Sequence, residues 1–188
     1  MSMELLLTTK NAHKIKEIKD CLKDTPYTLI TLDDLNDQDE VIESGETFKE
    51  NAYLKAKYYG DKYQMLALSD DSGLEVYSLN NRPGVYSNRY GKTPKQANEK
   101  LIKELKDKDP KARFITILCL YNPHTHKPTY YEGILEGVII NKPRGEYGFG
   151  YDPIFELDNH KTLAQLTIEE KTVISHRGKA LIKLRGDL

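Results

Sequence analysis

Apolar runs too brief to be helices alternate along this chain with segments whose apolar residues recur every three or four positions. That alternation confines the fold to the α/β class. Residues 4–7 read as a short buried strand, and after a polar turn Ala12, Ile15, Ile18 and Leu22 fall at helical spacing. Residues 27–32 alternate as a second strand. A helix is expected over about 46–59, ended by Gly60. Residues 65–68 and 74–79 read as two strand pieces separated by Ser69-Asp70-Asp71-Ser72-Gly73, which puts the acid pair at a strand junction or bulge. Thr93 and Pro94 open the next helix as N-cap and first helical residue, with Ala97, Leu101 and Leu105 on its buried face. Residues 114–121 and 130–140 are expected strands, and residues 141–153 are rich in Gly and Pro. Thr167 with Glu170 forms a capping box before a short helix, and Ser175 can cap a last helix running to about Arg185. Strands and helices do not keep a strict βαβ rhythm, so the expected sheet is mixed.

The 188 residues suit one domain. Its 28 basic and 29 acidic residues leave a formal charge of -1, which argues against a nucleic-acid coat protein. No apolar stretch approaches the roughly 18 residues that cross a bilayer. The three consecutive leucines Leu5, Leu6 and Leu7 are too few for a signal-peptide core. Cys21 and Cys119 are lone thiols within apolar patterns, read as core residues of a reducing, cytoplasmic compartment.

Four segments have the residue types for chemistry. The first is the turn from Thr8 to Lys14, where a strand passes into a helix whose free N–H groups and dipole suit phosphate. Thr9, Asn11, Lys10 and Lys14 add polar groups and charge. It is neither a Rossmann nor a P-loop signature. The second is Asp70-Asp71-Ser72-Gly73, either a simple Asx turn or a pair of carboxylates held together by a cation. Seven acids and no Lys or Arg occupy residues 33–46, read as a solvated loop in which Glu43 could supply a further oxygen. Thr47, Asn51 and Lys55 form a polar stripe beside the apolar face of the following helix, either an ordinary amphipathic edge or the lining of a cleft. The third is the Gly-aromatic segment 145–153, where Phe149 or Tyr151 could stack on a planar ligand or belong to the core. The fourth is the basic end from Lys171 onward, with five basic residues and one acid, a solvated face or an anion contact. His124 and His126 read as plain turn residues.

Taken in order, TTKNAHKIKEI, ESGETFKENAYLKA, SDDSGLEV, RPGVYSNRY, GFGYDPIF and KTVISHRGKAL resemble the motifs of the inosine triphosphate pyrophosphatase family. They run from about residue 8 to residue 181. The resemblance implies an elongated, curved mixed β-sheet flanked by helices, with two lobes around a central nucleotide-binding cleft in a single domain, 1–188. It implies hydrolysis of ITP, dITP and XTP to the monophosphate and pyrophosphate, with Mg²⁺, by a cytoplasmic homodimer that needs no membrane or nucleic acid. Carried over by motif, Thr9, Lys10, Asn11, Ala12, His13 and Lys14 hold the triphosphate, and Asp71 is the proton acceptor. Glu43 and Asp71 match the metal positions, with Asp70 close by. Ser72, Phe149, Gly150, Tyr151, Asp152, Lys171, His176 and Arg177 match nucleotide-binding positions. A donor such as Arg177, or a backbone N–H near His176, would pair with the 6-oxo group of the base and be left unpaired by adenine. The family commonly has glycine where Lys10 and His13 stand, and alanine where Asn88 stands, so the first loop here is bulkier and more charged. The reading from another class is a nucleotide-binding module that senses a purine nucleotide or modified RNA base without turnover.

Overall fold

The computed structural model describes residues 3–188. The strands β1 (Met3–Leu7), β2 (Tyr27–Thr31), β3 (Leu66–Val76), β4 (Arg82–Pro83), β5 (Lys111–Asn122), β6 (Lys127–Ile139) and β7 (Phe155–Glu156) form a mixed sheet in the order β2-β1-β3-β5-β6-β7, with β4 on β3. Helices α1 (Ala12–Leu22), α2 (Phe48–Tyr63), α3 (Pro94–Glu104), α4 (Ile168–Ile174) and α5 (His176–Asp187) flank it. β1 pairs in parallel with β2 and β3, while β3–β4 and β6–β7 are antiparallel. Among the described residues no helix is long and apolar enough to cross a membrane.

The chain divides into two compact units. The first holds the chain up to Asp71, Thr116–Gly133 and Arg177–Leu188; the second holds Ser72–Ile115 and Ile134–His176. In the first, Leu5 and Leu7 of β1 pack with Ile18 and Leu22 of α1, Leu68, and Leu181 and Leu184 of α5. Leu6 faces the other way, onto Ala67, Tyr59 and Leu32. Both faces of β1 are therefore buried, as the unbroken apolar run requires of a central parallel strand. The second unit has its own core, in which Leu74, Leu101, Phe114, Ile139, Ile154 and Phe155 meet.

Local signals explain most element starts. Asn11 caps α1 by accepting from His13 and Lys14 N–H. Thr47 and Glu50 form a reciprocal capping box on α2, and Thr167 and Glu170 another on α4; such caps contribute about 1 kcal/mol each.

Several sequence expectations are corrected. Gly60 does not end α2, which continues to Tyr63 and stops at left-handed Gln64. Glycine is there because a Cβ would stand 2.8 Å from Tyr121 Cδ1 and 3.3 Å from Ala67 Cβ. The two expected strand pieces around Asp70-Asp71 are one strand, β3, and residues 77–79 leave it as a 3₁₀ turn. Charged residues in mid-strand look like a break in sequence, but here cations meet both carboxylates, so the backbone has no need to turn. The acidic stretch 33–46 is less solvated than its composition suggests. Asp37 is 4% exposed, with its Oδ2 accepting from Lys62 Nζ at 2.7 Å and from Tyr63 OH at 2.6 Å. These donors hold the Asp37 carboxyl down at about 2. Ser175, extended in backbone, closes α4 and stands directly before α5 as expected of a cap position, while α5 runs past Arg185 to Asp187.

Candidate active site

In the first unit Leu7 pairs with Leu68 in register, so the loop after β1 begins level with Ser69 of β3. Thr8 N–H and Oγ1 both donate to Leu68 O, at 3.0 and 3.3 Å, fastening the first loop to β3. β1 ends here while β3 runs on to Val76, so the loop at the carboxyl end of β1, the usual side for a ligand in an α/β sheet, starts beside the acid pair in mid-β3. The loop is tightly wound. Thr9 Oγ1 accepts from Asn11 N–H at 3.2 Å, and Asn11 Oδ1 accepts from His13 and Lys14 N–H at 3.0 and 3.3 Å. The helix N-terminus has thus already committed two of its first amides to its own cap. His13 and Lys10 are exposed, and Lys10 Nζ donates to Asp39 O at 2.8 Å.

The buried centre of this unit is ionic. Lys14 Nζ donates to Asp70 Oδ1. Arg177 Nε donates to Asp70 Oδ2 at 2.7 Å, and its NH1 donates to Glu17 Oε2 at 2.5 Å. Burial alone would raise the Asp70 carboxyl, but Arg177 and Lys14 outweigh it and hold the group far below the ordinary carboxylate range. Burial, which outweighs the attraction of Asp70, pulls the Lys14 ammonium below its usual value.

Asp71, the next residue, has the opposite environment. Lys55 Nζ lies 3.7 Å from its Oδ1, 2.7 Å from Glu43 Oε1 and 2.8 Å from Asp70 O. Among the described residues Asp71 Oδ2 is buried with no hydrogen-bond partner. Burial is the largest influence on Asp71, Lys55 opposes it, Glu43 adds to it, and the carboxyl is pushed up to about 6. Two adjacent carboxylates with values driven apart are the usual mark of divided roles in acid–base chemistry.

The polar stripe of α2 belongs to this centre. Thr47 caps the helix, Asn51 Oδ1 accepts from Gly45 N–H at 2.8 Å and so holds the loop carrying Glu43, and Lys55 links Glu43 to both aspartates. Among the described residues no group of three or more His, Cys, Asp or Glu side chains is disposed to hold a metal. Glu43 and Asp71 instead share one ammonium, and Asp71 keeps an unpartnered buried oxygen. That donor set fits Mg²⁺, which takes one or two protein carboxylates and leaves its other positions to water and phosphate oxygens.

The second unit holds the Gly-aromatic segment. Asp152 Oδ2 accepts from Phe149 N–H at 2.9 Å and from Lys171 Nζ at 2.7 Å, and Lys171 Nζ lies 4.7 Å from the centre of the Phe149 ring. Gly148, at φ +78, could hold no side chain here, because a Cβ would run into the Asp152 carboxylate. Tyr151 is a core residue whose OH donates to Ser87 O at 2.8 Å, which leaves Phe149 as the ring available for stacking. His176 stacks on Phe114 with centroids 4.8 Å apart and planes at 12°. Ser72 is the first residue of this unit, directly after Asp71 in β3.

Arg177, or a backbone N–H near His176, is the expected donor to the purine 6-oxo group; in the structure Arg177 Nε and NH1 donate to Asp70 and Glu17. Glu17 was missed, although its place one turn after Lys14 on α1 could have pointed to it. Asn98, whose Nδ2 donates to Gly150 O at 3.2 Å, was missed as well and carries no local signal.

The motif order and this geometry agree with the comparisons. The Ham1 family model matches residues 5–187. A protein of Thermus thermophilus called dITP/XTP pyrophosphatase is 48% identical over 185 residues, covering 95% of this chain and 88% of its own length. One of the same description from Bacillus subtilis (strain 168) is 45% identical over 188 residues, covering 96% and 94%. The solved structure of a HAM1 protein from Coxiella burnetii superposes with a TM-score of 0.92 at 37% identity, covering 98% of each chain. A match spanning both cores, the acid pair and the Gly-aromatic segment leaves one assignment: this chain belongs to the Ham1 family.

Proposed function

We propose that this protein hydrolyses deaminated purine nucleoside triphosphates, ITP, dITP and XTP, to the monophosphate and pyrophosphate, clearing them from the nucleotide pool. The observation that carries the reading is the split pair: Asp70 fully salt-bridged, and Asp71 buried with an unpartnered oxygen and a carboxyl pushed up to about 6. A sensor without turnover would have no use for a proton acceptor kept apart from a structural aspartate.

Water attacks the α-phosphorus, the bond to the bridging oxygen breaks, and pyrophosphate leaves. Asp71 orients the water and takes its proton. In this reading Lys14 and Lys55 meet the phosphate charge, and Asp70, held by Arg177, sets the position of Lys14. The loop Thr9, Lys10, Asn11, Ala12, His13 and Lys14 receives the triphosphate. Glu43 and Asp71 would hold Mg²⁺, which when bound neutralises phosphate charge and sharpens the acidity of coordinated water. The base goes to the second unit, with Phe149 as its stacking face, Gly150, Tyr151 and Asp152 around it, and Lys171, His176 and Ser72 as further contacts.

The working form is proposed to be a single-domain chain, 1–188, assembled as a homodimer, on the strength of the resemblance. A cytoplasmic place fits free Cys21 and Cys119, whose thiols are both raised by burial, Cys119 to about 12. A formal charge of -1 gives no reason to expect nucleic acid as partner.

The test is to incubate the protein with ITP, XTP, GTP and ATP plus Mg²⁺ and measure pyrophosphate and monophosphate. Strong turnover of ITP and XTP over ATP is expected. Asp71→Asn should bind nucleotide but turn over slower by orders of magnitude. Nucleotide binding without product under any divalent metal would leave the non-catalytic module as the better reading.

A further inference from the structure

Backbone hydrogen bonding in the segment 149–153 of the second unit is one-sided. Phe149 O accepts from Asp152 N–H at 3.2 Å, Tyr151 O from Ile154 N–H at 3.0 Å, Asp152 O from Phe155 N–H, and Pro153 O from Arg144 N–H at 2.9 Å. The remaining carbonyl, Gly150 O, receives no backbone donor. It is taken by a side chain, Asn98 Nδ2 of α3, at 3.2 Å. Each of the five carbonyls therefore already has one donor. Among the described residues the N–H groups of Gly150 and Tyr151 have no hydrogen-bond partner.

Asn98 meets this carbonyl at a cost. Its residue is 7% exposed, and its Oδ1 is buried with no partner among the described residues. An unpaired buried amide oxygen is unfavourable. The opposite orientation of the amide would set two oxygens against each other, so the donor end must face Gly150. An apolar side chain would avoid the orphaned oxygen, so the donor is what the position requires.

We infer that Asn98 is a specificity-determining positioning residue: by engaging the Gly150 carbonyl it leaves this segment with unpaired N–H donors and no backbone carbonyl that lacks a donor. Such a surface suits a purine bearing oxo groups and offers an exocyclic amino group only carbonyls already engaged by another donor. A site whose polar groups fail to match a ligand rejects it far more strongly than a mere difference in size would. The inference rests on the proposed assignment of the base to this segment, and adds how adenine and guanine are refused.

The test measures affinity rather than turnover, so that it stands apart from the catalytic reading. Binding of ITP, ATP and GTP to the metal-free protein is followed by calorimetry for the unchanged chain, Asn98→Leu and the near-isosteric Asn98→Asp. Thermal melting of each variant checks that it is folded. Losing this donor frees one acceptor, and one hydrogen bond corresponds to a ~3- to 10-fold change in affinity. The expected result is that ATP or GTP binding tightens by that factor relative to ITP in both variants. A parallel change for all three nucleotides would make Asn98 merely structural and overturn the inference, as would an unchanged chain that binds ITP and ATP equally. If the unchanged chain prefers ITP in binding, loses the preference in the variants and yet hydrolyses nothing, the inference stands and the catalytic reading fails.

Discussion

Ionising Asp71 in the metal-free protein should weaken the fold, and removing its charge should strengthen it. Its carboxyl is pushed up to about 6 from an ordinary 3.8, with burial as the main cause. The sign follows from proton binding: between these two values the folded chain holds the proton that the unfolded chain has lost, so stability falls as pH rises through that window. A shift of about two pKa units corresponds to about 3 kcal/mol, an upper figure because a partly hydrated site relaxes. Asp71→Asn keeps the shape, and Lys55 keeps Glu43 at 2.7 Å and Asp70 O at 2.8 Å, so no cation is stranded. In chelator at pH 8 the variant should be more stable by about 1 to 3 kcal/mol, roughly 3 to 10 °C in Tm for a chain of this size. The gap should close as pH falls toward 4. Urea unfolding of both proteins at several pH values measures it. A variant less stable than the unchanged chain at pH 8, or a gap independent of pH, would refute the view that burial dominates the Asp71 environment. Added Mg²⁺ should stabilise the unchanged chain more than the variant, since Asn offers the metal a weaker ligand.

Asp70→Ala should cost about 3 to 5 kcal/mol in denaturant unfolding, because Lys14 and Arg177 would both lose a buried counter-charge. Gly60→Val should cost about 2 kcal/mol by forcing the Tyr121 ring aside, measured by thermal melting; an unchanged Tm would show that the ring has room to move.

Much of the fold was legible because local signals agree with tertiary placement. Thr93 with Pro94, Thr167 with Glu170, and the apolar spacing of α1 each appear where expected, since capping and periodicity act over a few residues. The candidate site was legible as a set of segments, because Thr9 to Lys14, Asp70-Asp71 and 149–152 are contiguous motifs. Gly60 misled because a glycine that allows a close approach and a glycine that stops a helix are the same letter. The Asp70-Asp71 break misled because the compensating cations lie 56 and 107 residues away.

The amino-acid sequence by itself thus determined the α/β class, the caps at Thr93 and Thr167 and which segments have the residue types for chemistry, all consequences of spacing and residue type within a few turns of chain. Tertiary structure decided what each charge does. It set Asp70 against Lys14 and Arg177, left Asp71 with an unpartnered oxygen, and gave Gly150 O to Asn98. The physical reason is that a carboxylate's proton affinity and a carbonyl's availability depend on burial and on partners brought in from distant chain, and neither quantity belongs to a residue until the fold has supplied its neighbours.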